Sequence, residues 1–296
     1  MGEHRPGVPA PGRAMSREPA RLLTRADVAA YFERSGGRPS RALGQNFVID
    51  PNTVRKIVRL ADITSDTPVV EIGAGLGSLT LALAETGAAV TAVEIDKYLI
   101  YELRHNVRPH SNVTVEHADA MKIDWHALLP AAEGPYVLVA NLPYNVATPL
   151  VADLLDGVPQ IGRMIVMVQK EVGERLAAHV GDDAYGAVSV KMAYWGDARM
   201  VGLVGPSVFV PQPNVDSAVV RIDRWPAPAV DPALVSHERL FTVVRAGFAH
   251  RRKMLRGCLS GVVAPGAFEI AGVAPTARAE ELTVAEFVRL AGALDK

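Results

Sequence analysis

Hydrophobic positions along this chain come in short blocks whose period changes from one block to the next. "PVVEIG", "AAVTAVEID", "NVTVEHADA", "YVLVANLPY" and "RMIVMVQ" contain compact apolar runs of strand length. Before and between them, "NTVRKIVRLADI", "SLTLALAETG", "KYLIYELRHNV" and "KEVGERLAAHV" carry helical spacing; Val54, Ile57 and Val58 share one face of the first, and Gly87 closes the second. Strands alternating with helices predict a parallel sheet with right-handed crossovers, a doubly wound α/β domain. "YGAVSVKMAYWG" fits helix and strand equally, and "VFVPQPNVDSAVVRID" reads as a proline-stiffened loop feeding one last strand.

At "RWPAPAVDPAL" the pattern gives way to a proline-rich connector. Beyond it, "HERLFTVVRAGFAHRRKMLRGCL" is a long helical pattern and "LTVAEFVRLAGAL" another, the latter opened by Thr283 and Glu286 at capping-box spacing. The expected organisation is a flexible basic extension over residues 1–42, an α/β domain over 43–226 and a smaller all-helical domain over 227–296.

Composition narrows the class. In 296 residues, 49% are hydrophobic and 21% charged, the balance of a globular protein rather than a disordered chain. No apolar run approaches the roughly eighteen residues of a membrane span, and "MGEHRPGVPAPGRAMSREPARL" has no apolar signal-peptide core, so a cytoplasmic location is expected. The single cysteine, Cys258, excludes an internal disulfide and a thiolate cluster, and reads as a small buried apolar residue. No His-Glu-x-x-His or paired-carboxylate pattern points to a metal, and none is expected.

The net charge of −1 argues against a uniformly basic nucleic-acid binder, yet the charge is unevenly spread. The first forty-one residues are rich in arginine, and "RAGFAHRRKMLR" holds Arg245, Arg251, Arg252, Lys253 and Arg256 with no acid. Such clusters can neutralise phosphates, and charge alone leaves a solvated helix face as an equal reading. Lys170, Glu171, Glu174 and Arg175 read as a helix-surface charge set rather than as catalytic groups.

The candidate chemistry starts where the first strand of the alternating pattern meets Glu71-Ile72-Gly73-Ala74-Gly75-Leu76-Gly77. Glycines at a strand-to-helix turn let a nucleotide approach the backbone. In a dinucleotide fingerprint the third glycine would come one residue later, where Ser78 stands, whereas E-x-G-x-G-x-G is the spacing of S-adenosylmethionine enzymes. Glu94 closes the next strand, placed to accept from ribose hydroxyls, and Asp119 follows the one after, placed to accept from an adenine amine.

Asn141-Leu142-Pro143-Tyr144 then ends the fourth strand of the pattern with the N-L-P-Y motif of adenine-N6 methyltransferases. Together with "LGQNFVID", "EIGAGLGSLT", "VTAVEID", "HADAM", "NLPYNVATP", "MVQKEVGERLAA", "PNVDSAVVRI" and "FAHRRKMLR", it makes the chain resemble the bacterial small-subunit rRNA adenine dimethyltransferases, the KsgA/RsmA family, from about Leu43 to Arg256. The resemblance implies a Rossmann-like S-adenosylmethionine-dependent methyltransferase domain with a smaller helical C-terminal domain. It also implies cofactor contacts at Asn46, Val48, Gly73, Glu94, Asp119 and Asn141. The implied partner is 16S rRNA in the small ribosomal subunit or its precursor, where two adjacent adenosines of a hairpin loop near the 3′ end are each dimethylated by a monomeric enzyme.

The adenine N6 amine is a poor nucleophile because its lone pair is delocalised into the ring. Asn141 and the Leu142 carbonyl are expected to accept its two hydrogens, Pro143 to fix the chain direction, and Tyr144 to stack on the base. Phe209 is the expected stacking partner on the other face. With this resemblance the Arg251, Arg252 and Lys253 cluster reads as an RNA contact. Gln212 and Asn214 depart from the family's usual residues, and the N-terminal extension lies outside the resemblance. A large-subunit rRNA methyltransferase, a non-catalytic assembly factor and a nicotinamide dehydrogenase are the competing readings.

Overall fold

The computed structural model describes residues 21–130, 134–143, 146–250 and 253–293. Its strands are β1 (Phe47–Val48), β2 (Val69–Ile72), β3 (Val90–Glu94), β4 (Val113–His117), β5 (Tyr136–Asn141), β6 (Ile161–Gln169), β7 (Gly196–Val204), β8 (Phe209–Val210) and β9 (Ser217–Arg224). Seven of them form one sheet in the order β4-β3-β2-β5-β6-β9-β7, parallel from β4 to β6, with β9 running antiparallel between β6 and β7. β2 pairs with β3 on one side and β5 on the other, so the chain reverses its winding direction there. Such a switch point opens a crevice at the carboxyl ends of the strands.

Both faces of the sheet are covered, which is why the strands read as continuous apolar runs. Val69, Val137, Val139, Ile165 and Met167 belong to one core, and their neighbours Val70, Leu138, Ala140, Val166 and Val168 to the other. The helix Pro51–Ala61 packs on the first face; Asp50 caps it by accepting from the Thr53 amide at 2.9 Å, with Pro51 in the first turn where no N–H is missed.

The edge strand β7 has no counterpart among the expected elements, and the ambiguous stretch before it forms the helix Ala187–Trp195. This helix lies between two cores: Met192 faces the sheet, while Val190 and Tyr194 face the C-terminal helices. An element buried on two sides has no clean polar stripe, which removes the periodic signal.

The C-terminal helices His237–Phe248, Leu255–Cys258, Ala267–Ala271 and Val284–Gly292 build a third core shared with Tyr185, Val190 and Tyr194. The long helical pattern expected there is broken into separate pieces. Thr283 does cap the last helix, its hydroxyl accepting from the Glu286 amide at 3.3 Å while Glu286 accepts from the Thr283 amide at 2.8 Å. Cys258 is half-buried, with Sγ 3.6 Å from the His250 carbonyl.

The expectation of a flexible stretch up to residue 42 needs correction for the part described. Arg25–Ser35 is a helix with Asp27 accepting from the Thr24 amide at 2.9 Å, and Val28 and Tyr31 are buried against Phe47, Leu76 and Leu99. Residues buried at single-turn spacing anchor it. Residues 1–20 lie outside the described part.

Candidate active site

Gly73, Gly75 and Gly77 all adopt positive φ, so the turn after β2 coils tightly at the crevice. At Gly75 (φ 59°) a side chain is disfavoured twice, because the backbone would be strained and a Cβ would stand a tight 3.2 Å from the Phe47 ring. The Gly75 N–H donates to Glu94 Oε2 at 2.6 Å, and Glu94 Oε1 accepts from the Asp96 N–H at 2.8 Å. Glu94 therefore ties the glycine turn to the start of the helix Lys97–Val107. It is 5% exposed, and burial raises its carboxyl pKa, with the backbone N–H groups opposing the rise.

Beneath Glu94 lies a second acid. Glu71 is 1% exposed, and burial pushes its carboxyl up to about 8, with the Thr80 hydroxyl pulling the other way and Glu94 adding to the rise. Glu71 Oε2 and Thr80 Oγ1 both lack an aligned hydrogen-bond partner, so Thr80 acts on Glu71 as a near neighbour rather than as a bonded one. Sequence spacing marked Glu71 only as the start of the glycine motif; nothing in the pattern signalled its burial.

One pocket is lined by Asn46, Val48, Glu71, Gly73, Glu94 and Asn141 among others; a second, lined by Ala118, Asp119 and Met121, shares Leu43, Gly73, Ile95 and Pro143 with it. The structure thus brings Asn46, Val48, Gly73, Glu94 and Asn141 to one pocket and Asp119 to the adjoining one, at the sheet's switch point. Asp119 Oδ1 accepts from the Met121 N–H at 3.0 Å and Oδ2 pairs with Lys122 at 3.2 Å. Those contacts hold its carboxyl below the usual carboxylate range.

Asn141 ends β5 beside this cleft, and its Nδ2 donates to the Asn46 carbonyl at 2.9 Å. A carbonyl oxygen only accepts, so the amide nitrogen must face Asn46 and Oδ1 must face the other way. Leu142 is buried and its N–H donates to the Met167 carbonyl at 3.0 Å. Pro143 walls both pockets, and its carbonyl accepts from Val146 and Ala147, which starts the helix Ala147–Gly157. Tyr144 lies outside the described residues.

Phe209 does not join them. It is 1% exposed, sits in β8 opposite Val48 of β1, and packs into the core under the sheet with Val48 and Val219. Phe209 lines neither of the two pockets, and its ring faces the core. Its strand instead holds Val48 in place at the pocket wall.

Of the basic cluster, Arg245, Lys253 and Arg256 are exposed, and Arg251 and Arg252 lie outside the described residues. Lys170 pairs with Glu174 at 3.6 Å, and Arg175 with Glu171, as a helix-surface set. Among the described residues no His, Cys, Asp and Glu group could hold a metal, and no helix is long and apolar enough to cross a membrane.

The family model for ribosomal RNA adenine dimethylases matches residues 38–296. Over 282 residues the chain is 50% identical to a ribosomal RNA small subunit methyltransferase A from Thermobifida fusca, covering 92% of this chain and 96% of that one. It is 46% identical over 286 residues to the protein of the same name from Streptomyces griseus, with 93% and 96% covered. Among solved structures it is similar to a dimethyladenosine transferase from Plasmodium falciparum (TM-score 0.66, 26% identity, 81% of this chain and 94% of that one). It is also similar to the 23S rRNA methyltransferase ErmE (TM-score 0.64, 27% identity, 84% and 100%).

Proposed function

This chain belongs to the ribosomal RNA adenine dimethylase family, and from that premise we propose that it dimethylates the N6 amines of two adjacent adenosines in a hairpin loop near the 3′ end of 16S rRNA, acting on the small subunit during its biogenesis. It is an S-adenosylmethionine-dependent methyltransferase that acts on ribosomal RNA. The finer reading adds the target adenosines, a cytoplasmic location, a monomeric state, and an rRNA-contacting role for residues 227–296 with Arg245, Arg251, Arg252, Lys253 and Arg256.

The cleft fits the methyl donor. Each Glu94 oxygen accepts one backbone N–H and keeps a further lone pair for a ribose hydroxyl, and the ionised Asp119 lines the adjoining pocket where an adenine amine needs an acceptor. Asn46, Val48 and Gly73 would complete the holding set. When bound, S-adenosylmethionine supplies an electrophilic methyl group on sulfonium.

The observation that carries the reading is the bond from Asn141 Nδ2 to the Asn46 carbonyl. With the amide so oriented, Asn141 Oδ1 accepts one N6 hydrogen and the Leu142 carbonyl accepts the other. Holding both hydrogens favours a pyramidal nitrogen and aims its lone pair. The Pro143 carbonyl is engaged by the following helix, so the chain direction at Leu142 is fixed. No strong base is needed, since the nitrogen becomes acidic only after attack.

Mass spectrometry of small-subunit rRNA from cells with and without the protein tests activity and target together. Dimethyladenosine that persists in its absence would refute the proposal. An in vitro assay offering both ribosomal subunits separates it from a large-subunit activity.

A further inference from the structure

The helix Lys97–Val107 begins at the wall of the cleft: Asp96 caps it by accepting from the Tyr98 N–H at 2.9 Å, and Glu94 holds the Asp96 N–H. Its inner side is ordinary, with Leu99, Ile100, Leu103 and Val107 buried. Its outer side is not. The exposed residues along it, Lys97, Tyr98, Tyr101, Arg104 and His105, with Arg108 just past the end, include no acid. Tyr98 and Tyr101 are 72% and 81% exposed, a large apolar area left open by the described residues. Lys97 Nζ stands 5.1 Å from the Tyr98 ring centre. Arg104 donates once, to the Val115 carbonyl at 3.4 Å, which leaves most of its guanidinium available.

A second segment reinforces this face. Arg34 pairs with Glu102 at 3.0 Å and Gln45 donates to Asp96 at 2.7 Å, so the stretch between them is pinned to this helix at both ends. That stretch carries exposed Arg38 and Arg41, and the Tyr31 hydroxyl fixes the helix start by donating to the Tyr98 carbonyl at 2.8 Å. The acids of the helix and its cap are engaged: Glu102 pairs with Arg34, and Asp96 accepts from Gln45 and from the Tyr98 N–H.

We propose that this face is a docking surface for ribosomal RNA outside the methyl-acceptor loop, with unpaired bases stacking on Tyr98 and Tyr101 and phosphates meeting Lys97, Arg104 and Arg108. The inference rests on the rRNA reading above. Aromatic rings interleaved with cations are what sequence-tolerant single-strand binding requires. Positions three apart on a helix put the ring attachment points about 5–6 Å from each other, a spacing that neighbouring splayed bases can follow. A second copy of this chain would bring like charges face to face. Because Glu94 lines the cleft and holds the N–H of the Asp96 cap, RNA lying on the start of this helix leads into the cleft.

The test uses the full chain loaded with S-adenosylmethionine and small-subunit particles from cells lacking the protein. Dissociation constants are measured by filter binding for the parent, for Tyr98→Ser with Tyr101→Ser, and for Arg104→Gln with Arg108→Gln. The tyrosine variant is expected to bind the particles at least about ten-fold more weakly. The arginine variant is expected to lower the salt slope of binding by between about 1 and 2. Melting temperature, S-adenosylmethionine affinity by calorimetry and the methylation rate at saturating particles should stay within two-fold or a few degrees of the parent. Particle affinity within two-fold of the parent in both variants overturns the proposal. So does sedimentation showing a parent dimer that the tyrosine variant dissolves. A parent that binds particles yet never methylates them counts against the dimethylation reading instead, which the binding measurements keep separate.

Discussion

Asn141 Nδ2 lies 2.9 Å from the backbone carbonyl of Asn46, a contact between residues 95 apart in the chain. It joins the end of β5 to the segment leading into β1, two walls of the same pocket. Replacing Asn141 by Asp should keep the shape but set a carboxylate against that carbonyl. The expected outcome is at least a hundred-fold loss of methyl transfer, in line with the roughly 10² cost of small misplacements. Circular dichroism should be unchanged; a rate within three-fold of the parent would remove Asn141 from the mechanism.

Glu71 carries a pH signature. Its folded-state pKa of about 8 stands above the ordinary 4.5, so the native protein holds a proton there that the unfolded chain has lost. The associated stability is full below about pH 4.5 and is lost as pH rises through about 8, with a slope of at most ~1.4 kcal/mol per pH unit. Glu71→Gln should flatten the fall of melting temperature between pH 5.5 and 8.5. Equal slopes for parent and variant would contradict the assignment.

Phe209 separates packing from stacking. As a core residue at 1% exposure it should cost about 3–5 kcal/mol when cut to Ala, read in urea denaturation. Phe209→Leu should retain kcat/KM within a few-fold. A Leu variant that stays folded but loses methylation by two orders of magnitude would return the ring to the site.

Asp156, in the helix Ala147–Gly157, ties that helix to the helix Ala187–Trp195 and to the first C-terminal helix. Its Oδ1 accepts from Trp195 Nε1 at 2.8 Å and meets His237 Nε2 at 3.0 Å, while Oδ2 pairs with Lys191. Asp156→Ala leaves these partners without their acceptor and should destabilise by about 1–3 kcal/mol. Differential scanning calorimetry checks this, and an unchanged melting temperature would show the junction to be held by apolar packing alone.

Much of the fold was legible because both faces of a parallel sheet are buried and the strands announce themselves as apolar runs. The glycine turn, Glu94, Asp119 and Asn141 were legible because they follow strand ends, and strand ends in a doubly wound sheet converge on one edge. Strand β7 was not, since "DARMVGLV" is an edge segment that alternates poorly and follows a helix buried on two sides.

Sequence by itself determined which residues gather at the cleft, because chemistry at strand termini is fixed by order along the chain. Only the tertiary structure decided which way side chains face. It turned Phe209 into the core, folded residues 25–35 onto Phe47 and Leu76, and spent Asn141 Nδ2 on the Asn46 carbonyl. Each of these depends on contacts between distant segments, and no local pattern encodes the partner that a side chain meets across such a distance.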